Sequence, residues 1–336
     1  DGARPQLGLL LKIFRGAVMC DWKLRYAGPL RSLWQGRKGE AQGTRVFHYC
    51  NCIDLVEKMP KFEKGSIAIL GFASDEGVKR NQGREGAIEG PKALKKAFAG
   101  MPYHGNSQLK LYDCGEIRCD DGDLEKAQSA LGYVVGQLRM NGAFPIVLGG
   151  GHEIAWGHYQ GLRDAKGLGI INFDAHFDLR PVLDGGLGSS GTPFLQICND
   201  RKAEGKEFDY MCIGVQKLGN TRTLFETADK LGVSYVYADE FFTGDRAAVQ
   251  ENLQKFIDDH ESIYLTFCLD VFSESHAPGV SAPQVLGLEP WQVIPLLEVL
   301  SKSGKVVSFD IAEMSPRYDR NGITAKLGAT LAHLFI

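Results

Sequence analysis

Histidine and carboxylate residues gather at four places in the chain, each directly after a short apolar run. His152 follows Gly149-Gly150-Gly151. Asp174, His176 and Asp178 follow the run at 169–173. Asp270 closes the stretch Cys268-Leu269-Asp270, and Glu313 lies just past the run that ends at Asp310. In an extended segment, side chains two positions apart face the same side. Asp174, His176 and Asp178 are therefore expected to present three ligands together, and His152 and Asp270 bring the set to five, enough for two divalent ions. Carboxylates suit bridging and imidazoles suit capping each ion. Mixed oxygen and nitrogen donors suit manganese, while softness alone leaves zinc, iron and cobalt open. Two ions about 3.5–4 Å apart turn water into a nucleophile at neutral pH. The chemistry implied is metal-assisted hydrolysis. His158, one to two helical turns past His152, is expected to be structural.

Such a cluster needs elements that bring distant segments to one edge. Short runs rich in Ile, Val, Leu and Phe occur at 67–72, 109–113, 145–148, 169–173, 211–215, 235–238, 262–269 and 305–310. They read as strands buried on both faces. Helical spacing fills 123–140, 222–231, 247–257 and 289–300, and Pro290 sits where a helix start tolerates it. Eight strands alternating with helices predict a mostly parallel sheet covered on both faces, the three-layer α/β class. Ligands of such sheets bind beyond the carboxyl ends of the strands, where the candidate donors fall. Residues 1–62 have weak periodicity and read as an N-terminal extension packed on a main domain of residues 63–336.

Composition is that of an ordinary globular chain, with 336 residues, 44% hydrophobic, 24% charged and a formal net charge of -3. That balance gives no reason to expect nucleic acid or a membrane surface as a partner, and favours a small-molecule substrate. The eight cysteines are scattered and read as core filler of a reducing compartment. No stretch approaches the roughly 20 apolar residues that span a bilayer. The apolar run at 9–11 is broken by Lys12 and Arg15, too soon for a signal segment. A cytoplasmic protein is expected.

Across residues 66–336 the sequence resembles the ureohydrolase superfamily of arginases, agmatinases and formimidoylglutamases. The resemblance rests on the turn ending at His152, the Asp174-x-His176-x-Asp178 motif and the strand ending at Asp270, in that order. Gly71-Phe72-Ala73-Ser74-Asp75-Glu76-Gly77-Val78 with Asn81-Gln82-Gly83-Arg84, Gly188-Ser189-Ser190-Gly191-Thr192-Pro193-Phe194, Ala277-Pro278-Gly279-Val280-Ser281-Ala282-Pro283 and Asp310-Ile311-Ala312-Glu313-Met314-Ser315-Pro316-Arg317 resemble its formimidoylglutamase branch. The resemblance implies one arginase-like domain around an eight-stranded parallel sheet, assembly into homo-oligomers, and hydrolysis of N-formimidoyl-L-glutamate to L-glutamate and formamide. It also implies that His152, Asp174, His176, Asp178 and Asp270 bind two manganese ions. Glu313 would face the formimidoyl carbon, and Asp178 or a neighbour would relay a proton to the departing amine. One position departs from the family, which usually has Asp-x-Asp where this chain has Cys268-Leu269-Asp270. Either the Cys268 thiolate is a ligand, which favours zinc or iron over manganese, or Cys268 is core filler and one ion is weakly held or missing.

The substrate classes differ in charge. Formimidoylglutamate carries two carboxylates, arginine one, and agmatine none. A diacid calls for arginine near the donors, because guanidinium meets carboxylate bidentately. Arg180 and Arg84 are expected to serve, with Ser190 and Thr192 offering hydroxyls from one turn, while Arg80 is expected in a surface ion pair. Other guanidino-compound hydrolases, or a metal-poor relative without catalysis, are the alternatives.

Overall fold

Every run predicted as a strand forms one. In the computed structural model, which describes residues 21–336 except 38, 106, 244 and 245, the strands are β1 (Tyr26–Ala27), β2 (Cys50–Cys52), β3 (Ser66–Ala73), β4 (Lys110–Arg118), β5 (Ala143–Gly149), β6 (Leu168–Phe173), β7 (Asp209–Val215), β8 (Ser234–Tyr237), β9 (Ser262–Cys268) and β10 (Val306–Ala312). The apolar run at 9–11 and Cys20 lie outside the described residues. From β3 onward the strands pair in parallel, in the order β4-β3-β5-β10-β9-β6-β7-β8. That is the eight-stranded parallel sheet expected from the sequence. β1 and β2 add to it at β4, β1 antiparallel and β2 parallel. The described stretch from residue 21 to 62 thus joins the sheet at its β4 side. A buried ion pair fixes it there, with Lys95 Nζ 2.6 Å from Asp113 Oδ1 and the Trp34 indole N–H donating to Asp113 Oδ2 at 2.7 Å.

Alternation of side chains across the pleat divides the core in two. Ile67, Ile69, Ile171, Phe173, Leu265 and Phe309 face one layer, with Leu94, Leu253, Leu297 and Leu331 from helices packed over them. Ala68, Leu70, Phe72, Val147 and Ile170 face the other, covered by Leu131, Ile154, Ile197 and Leu224. The first layer is built by α2 (Gly90–Ala99), α8 (Arg246–Asp258), α9 (Pro290–Lys302) and α10 (Ile323–His333). The second is built by α3 (Leu124–Met140), α4 (Ile154–Gln160), α5 (Pro193–Ala203) and α6 (Arg222–Leu231). Two short helices, α1 (Glu76–Arg80) and α7 (Glu240–Thr243), lie in connections. Local signals explain the ends: the Asp123 carboxylate caps α3 by accepting from Lys126 N–H, and Gly232 closes α6 in the left-handed region at φ 71°. Among the described residues no helix is long and apolar enough to cross a membrane.

The four central strands, β5, β10, β9 and β6, are mutual neighbours. Their carboxyl ends are where the candidate donors begin.

Candidate metal centre

The turn after β5 brings its backbone against the end of β3. A Cβ on Gly150 would lie 1.7 Å from Ser74 O, so only glycine lets the chain pass there. Gly150 N–H donates to Phe72 O and Gly151 N–H to Ser74 O, which delivers His152 to the centre of the sheet edge. After β6 the segment bends, and Asp178 sits in the left-handed region at φ 48°. Asp174, His176 and Asp178 therefore converge through a bend, and the extended spacing expected for them does not occur. Asn220 holds the bend, accepting from Phe177 N–H and donating to Ala175 O. Cys268 ends β9, with Asp270 in the tight turn beyond it. Glu313 follows β10 at φ 70°, again left-handed. Non-glycine residues in that region are uncommon and collect at functional sites. Among the described residues four non-glycine residues have a positive φ, and three of these (Gln82, Asp178 and Glu313) line one cavity.

That cavity holds about 320 Å³ and is also lined by His152, His176, Cys268, Asp270, Arg84, Arg180 and Ser190. His152 Nδ1 lies 2.8 Å from Asp174 Oδ2 and 2.9 Å from Asp178 Oδ2. His176 Nδ1 lies 3.4 Å from Asp174 Oδ1 and 3.2 Å from Asp270 Oδ2. The donors fall into two triads that share Asp174. His152, Asp174 and Cys268 form one, Asp174, His176 and Asp270 the other, and within each triad the ligand atoms lie within 4.8 Å of one another. Among the described residues His152 Nδ1 and Asp270 Oδ1 are buried without a hydrogen-bond partner, although two carboxylate oxygens stand close to that nitrogen. Buried polar atoms left this way are costly, and a divalent cation held by these donors would satisfy them. The donor set fits divalent metal.

Electrostatics agree. Burial works against a charged His152, yet the negative carboxylates of Asp174 and Asp178 beside Nδ1 hold its pKa well above the ordinary value. Burial and the charge of Asp174 push Asp178 up to about 6. Burial and the charge of Asp270 push Glu313 up to about 7. The Cys268 thiol is raised by burial and then by Asp174, Asp270 and Glu313. Too many carboxylates share this edge for all to ionise comfortably without added positive charge.

Behind the donors lies a second set of polar residues. Asn172 Nδ2 donates to Asp174 Oδ2 at 3.1 Å. His152 Nε2 meets Thr266 Oγ1 at 3.0 Å, and Thr266 donates to Asp310 Oδ1 at 2.7 Å. Asp310 Oδ2 is met by His158 Nδ1 and the Tyr264 hydroxyl, each at 2.5 Å. The chain of bonds gives His152 Nε2 an acceptor and leaves Nδ1 facing the cavity. Its members Asn172, Thr266 and Asp310 were not singled out as functional from sequence. The available signal was a polar residue inside a strand buried on both faces, which must find a buried partner. His158 is structural in this sense, as its spacing suggested.

Among the residues expected to meet substrate, the structure separates those that reach the cavity from those that do not. Arg180 lines it, and no hydrogen bond or ion pair engages its side chain among the described residues. Ser190 also lines it, held by its backbone N–H on Gly77 O. Arg84 lines it too, but its Nε and Nη2 donate to Ser281 O and Val280 O while its guanidinium stacks on Tyr318 at 4.2 Å. It fastens the loop that carries Ser281. Thr192 does not reach the cavity. It is fully buried, and its hydroxyl accepts from Ser189 N–H and shares its one proton between Gln196 Oε1 at 2.7 Å and Ser189 O at 3.0 Å. A residue beside a turn at Ser189 and before Pro193 satisfies the turn first, which corrects the expectation for Thr192. Arg80 is in ion pairs with Glu76 and Glu125.

Comparison with known proteins identifies the family. The sequence model of the arginase family matches residues 65–336. A formimidoylglutamase of Legionella pneumophila (strain Lens) is 50% identical over 308 residues, covering 91% of this chain and 95% of that protein. A formimidoylglutamase of Clostridium tetani is 42% identical over 320 residues, covering 92% and 94%. The crystal structure of Trypanosoma cruzi formiminoglutamase with Mn2+2 superimposes with a TM-score of 0.73 at 28% identity, covering 81% of this chain and 92% of that one. With a family match over most of its length and relatives up to half identical to it, this chain belongs to the arginase family.

Proposed function

We propose that this chain is a metal-dependent formimidoylglutamase, which hydrolyses N-formimidoyl-L-glutamate to L-glutamate and formamide. The observation that carries the reading is the pair of donor triads sharing Asp174, four of whose members (His152, His176, Cys268 and Asp270) line one cavity with Arg180, which has no side-chain partner among the described residues. Residues His152, Asp174, His176, Asp178, Cys268 and Asp270 would hold two divalent ions, manganese among those that suit the oxygen and nitrogen donors. Metal ions of this kind lower the pKa of water and polarise a carbon–nitrogen group.

The protein's own residues supply the rest. Arg180 offers a planar pair of N–H donors to a substrate carboxylate, and Ser190 adds a hydroxyl beside it. Glu313, held by the His152 N–H at 2.9 Å and raised to about 7 by burial and the charge of Asp270, faces the formimidoyl group. It pairs with the cationic nitrogens and stabilises them as the carbon becomes tetrahedral. Asp178 or a neighbouring group would relay a proton to the departing amine, which is glutamate's own nitrogen. The unpaired arginine favours an acidic substrate over agmatine, which carries no carboxylate. Steady-state comparison of formimidoylglutamate, agmatine and arginine tests the choice. The reading requires the highest kcat/KM for the diacid, and preferential turnover of agmatine overturns it.

A further inference from the structure

The two donor triads are not chemically alike. Asp174, His176 and Asp270 offer only nitrogen and carboxylate oxygen, whereas His152, Asp174 and Cys268 include sulfur. All members of the second set are buried, with His152 and Cys268 each 1% exposed and Asp174 fully enclosed. His152 Nδ1 is buried and completes no hydrogen bond among the described residues, although Asp174 and Asp178 oxygens lie 2.8 and 2.9 Å from it. Cys268 lines the cavity between charged groups, unlike cysteine packed as an apolar filler. Cys212, the other cysteine at this edge, is engaged elsewhere, with its Sγ 3.3 Å from His176 O.

We propose that Cys268 is a metal-ligating thiolate, so that the centre is asymmetric and takes two kinds of ion. The half formed by His152, Asp174 and Cys268 selects a borderline ion such as zinc, iron(II) or cobalt(II). The half formed by Asp174, His176 and Asp270 accepts a harder ion such as manganese. This rests on the reading of the site as a metal centre. On binding, the sulfur–metal bond forms as the S–H bond breaks, the electron pair stays on sulfur, and the proton leaves to solvent. No electron is transferred.

Cobalt(II) added to the chelated full chain tests the assignment. Wild type is expected to show a thiolate-to-cobalt charge-transfer band in the near ultraviolet. Cys268→Ser and Cys268→Asp are expected to lose that band while still binding cobalt through the remaining donors, as counted by elemental analysis. In a mixture of zinc and manganese, wild type is expected to retain one of each, and Cys268→Asp to shift toward manganese in both positions. Circular dichroism of both variants checks that they fold, and either folded variant suffices. Bound cobalt without the band in wild type, or a band that survives both substitutions, overturns the thiolate assignment and leaves the metal centre standing. Failure of wild type to bind cobalt, zinc or manganese at all overturns both. Turnover of formimidoylglutamate is a separate readout and decides neither.

Discussion

Replacing Arg180 with alanine isolates the substrate contact from the rest of the site. Arg180 is exposed, lines the cavity, and its side chain makes no hydrogen bond or ion pair among the described residues, so its removal orphans no buried group. Folding stability should therefore change by no more than about 0.5 kcal/mol. Binding should suffer more. A charge-assisted hydrogen bond to an ionised group is worth about 1.5–3 kcal/mol, which corresponds to a roughly 10- to 150-fold loss of affinity. In the proposed role Arg180 meets a substrate carboxylate and not the reacting carbon, so the loss should appear mainly in KM. Arg180→Lys keeps the charge and loses the planar fork, and should fall between wild type and alanine. The assay is glutamate release at varied formimidoylglutamate, with denaturant unfolding in parallel. A KM for Arg180→Ala within about threefold of wild type, with folding intact, would refute the substrate role and return Arg180 to an ordinary surface position.

Three further perturbations probe the machinery behind the cavity. Thr266→Val removes the acceptor of His152 Nε2 and should weaken metal binding about 10- to 100-fold, read by metal titration; unchanged affinity would remove Thr266 from the positioning chain. Glu313→Gln keeps the shape and loses the negative charge, so kcat should fall on the order of 10²- to 10³-fold while metal content holds; a drop confined to metal content would mean that Glu313 acts as a ligand. Glu153 is fully enclosed, with Ser74 and the Gly77 N–H donating to Oε1 and Oε2 left unpartnered, and burial followed by the charge of Glu313 raises it to about 8. The folded chain thus keeps a proton that the unfolded chain loses near its ordinary value of 4.5, so stability declines as pH climbs from there toward 8. The chelated Glu153→Gln protein should lose less stability than chelated wild type across that window, and identical slopes in urea unfolding would contradict the shift.

Much of this arrangement was legible in the sequence because its signals are one-dimensional. Strands enclosed on both faces leave unbroken apolar runs, and the residues after those runs must lie at the carboxyl edge. His152, Asp174, Asp270 and Glu313 could be placed on that logic alone. Side-chain direction within a loop could not. Ser190 and Thr192 share one turn, yet Ser190 lines the cavity while the Thr192 hydroxyl is consumed inside the turn. Arg84 and Arg180 are both loop arginines, and only packing against Ser281, Val280 and Tyr318 distinguishes the first. The left-handed backbone at Asp178 and Glu313 carried no local signal, since neither residue type demands it. β1 and β2 are two and three residues long, too short to show a period, and became strands only because β4 offered them a free edge.

The most direct test is to strip the purified protein of metal with a chelator, titrate manganese back, and measure glutamate and formamide released from formimidoylglutamate. The predicted result is negligible turnover in the stripped protein, rising with bound metal, with the two products formed in equal amounts. Turnover that ignores the chelator, or a fully loaded protein that releases neither product, would contradict a metal-dependent formimidoylglutamase.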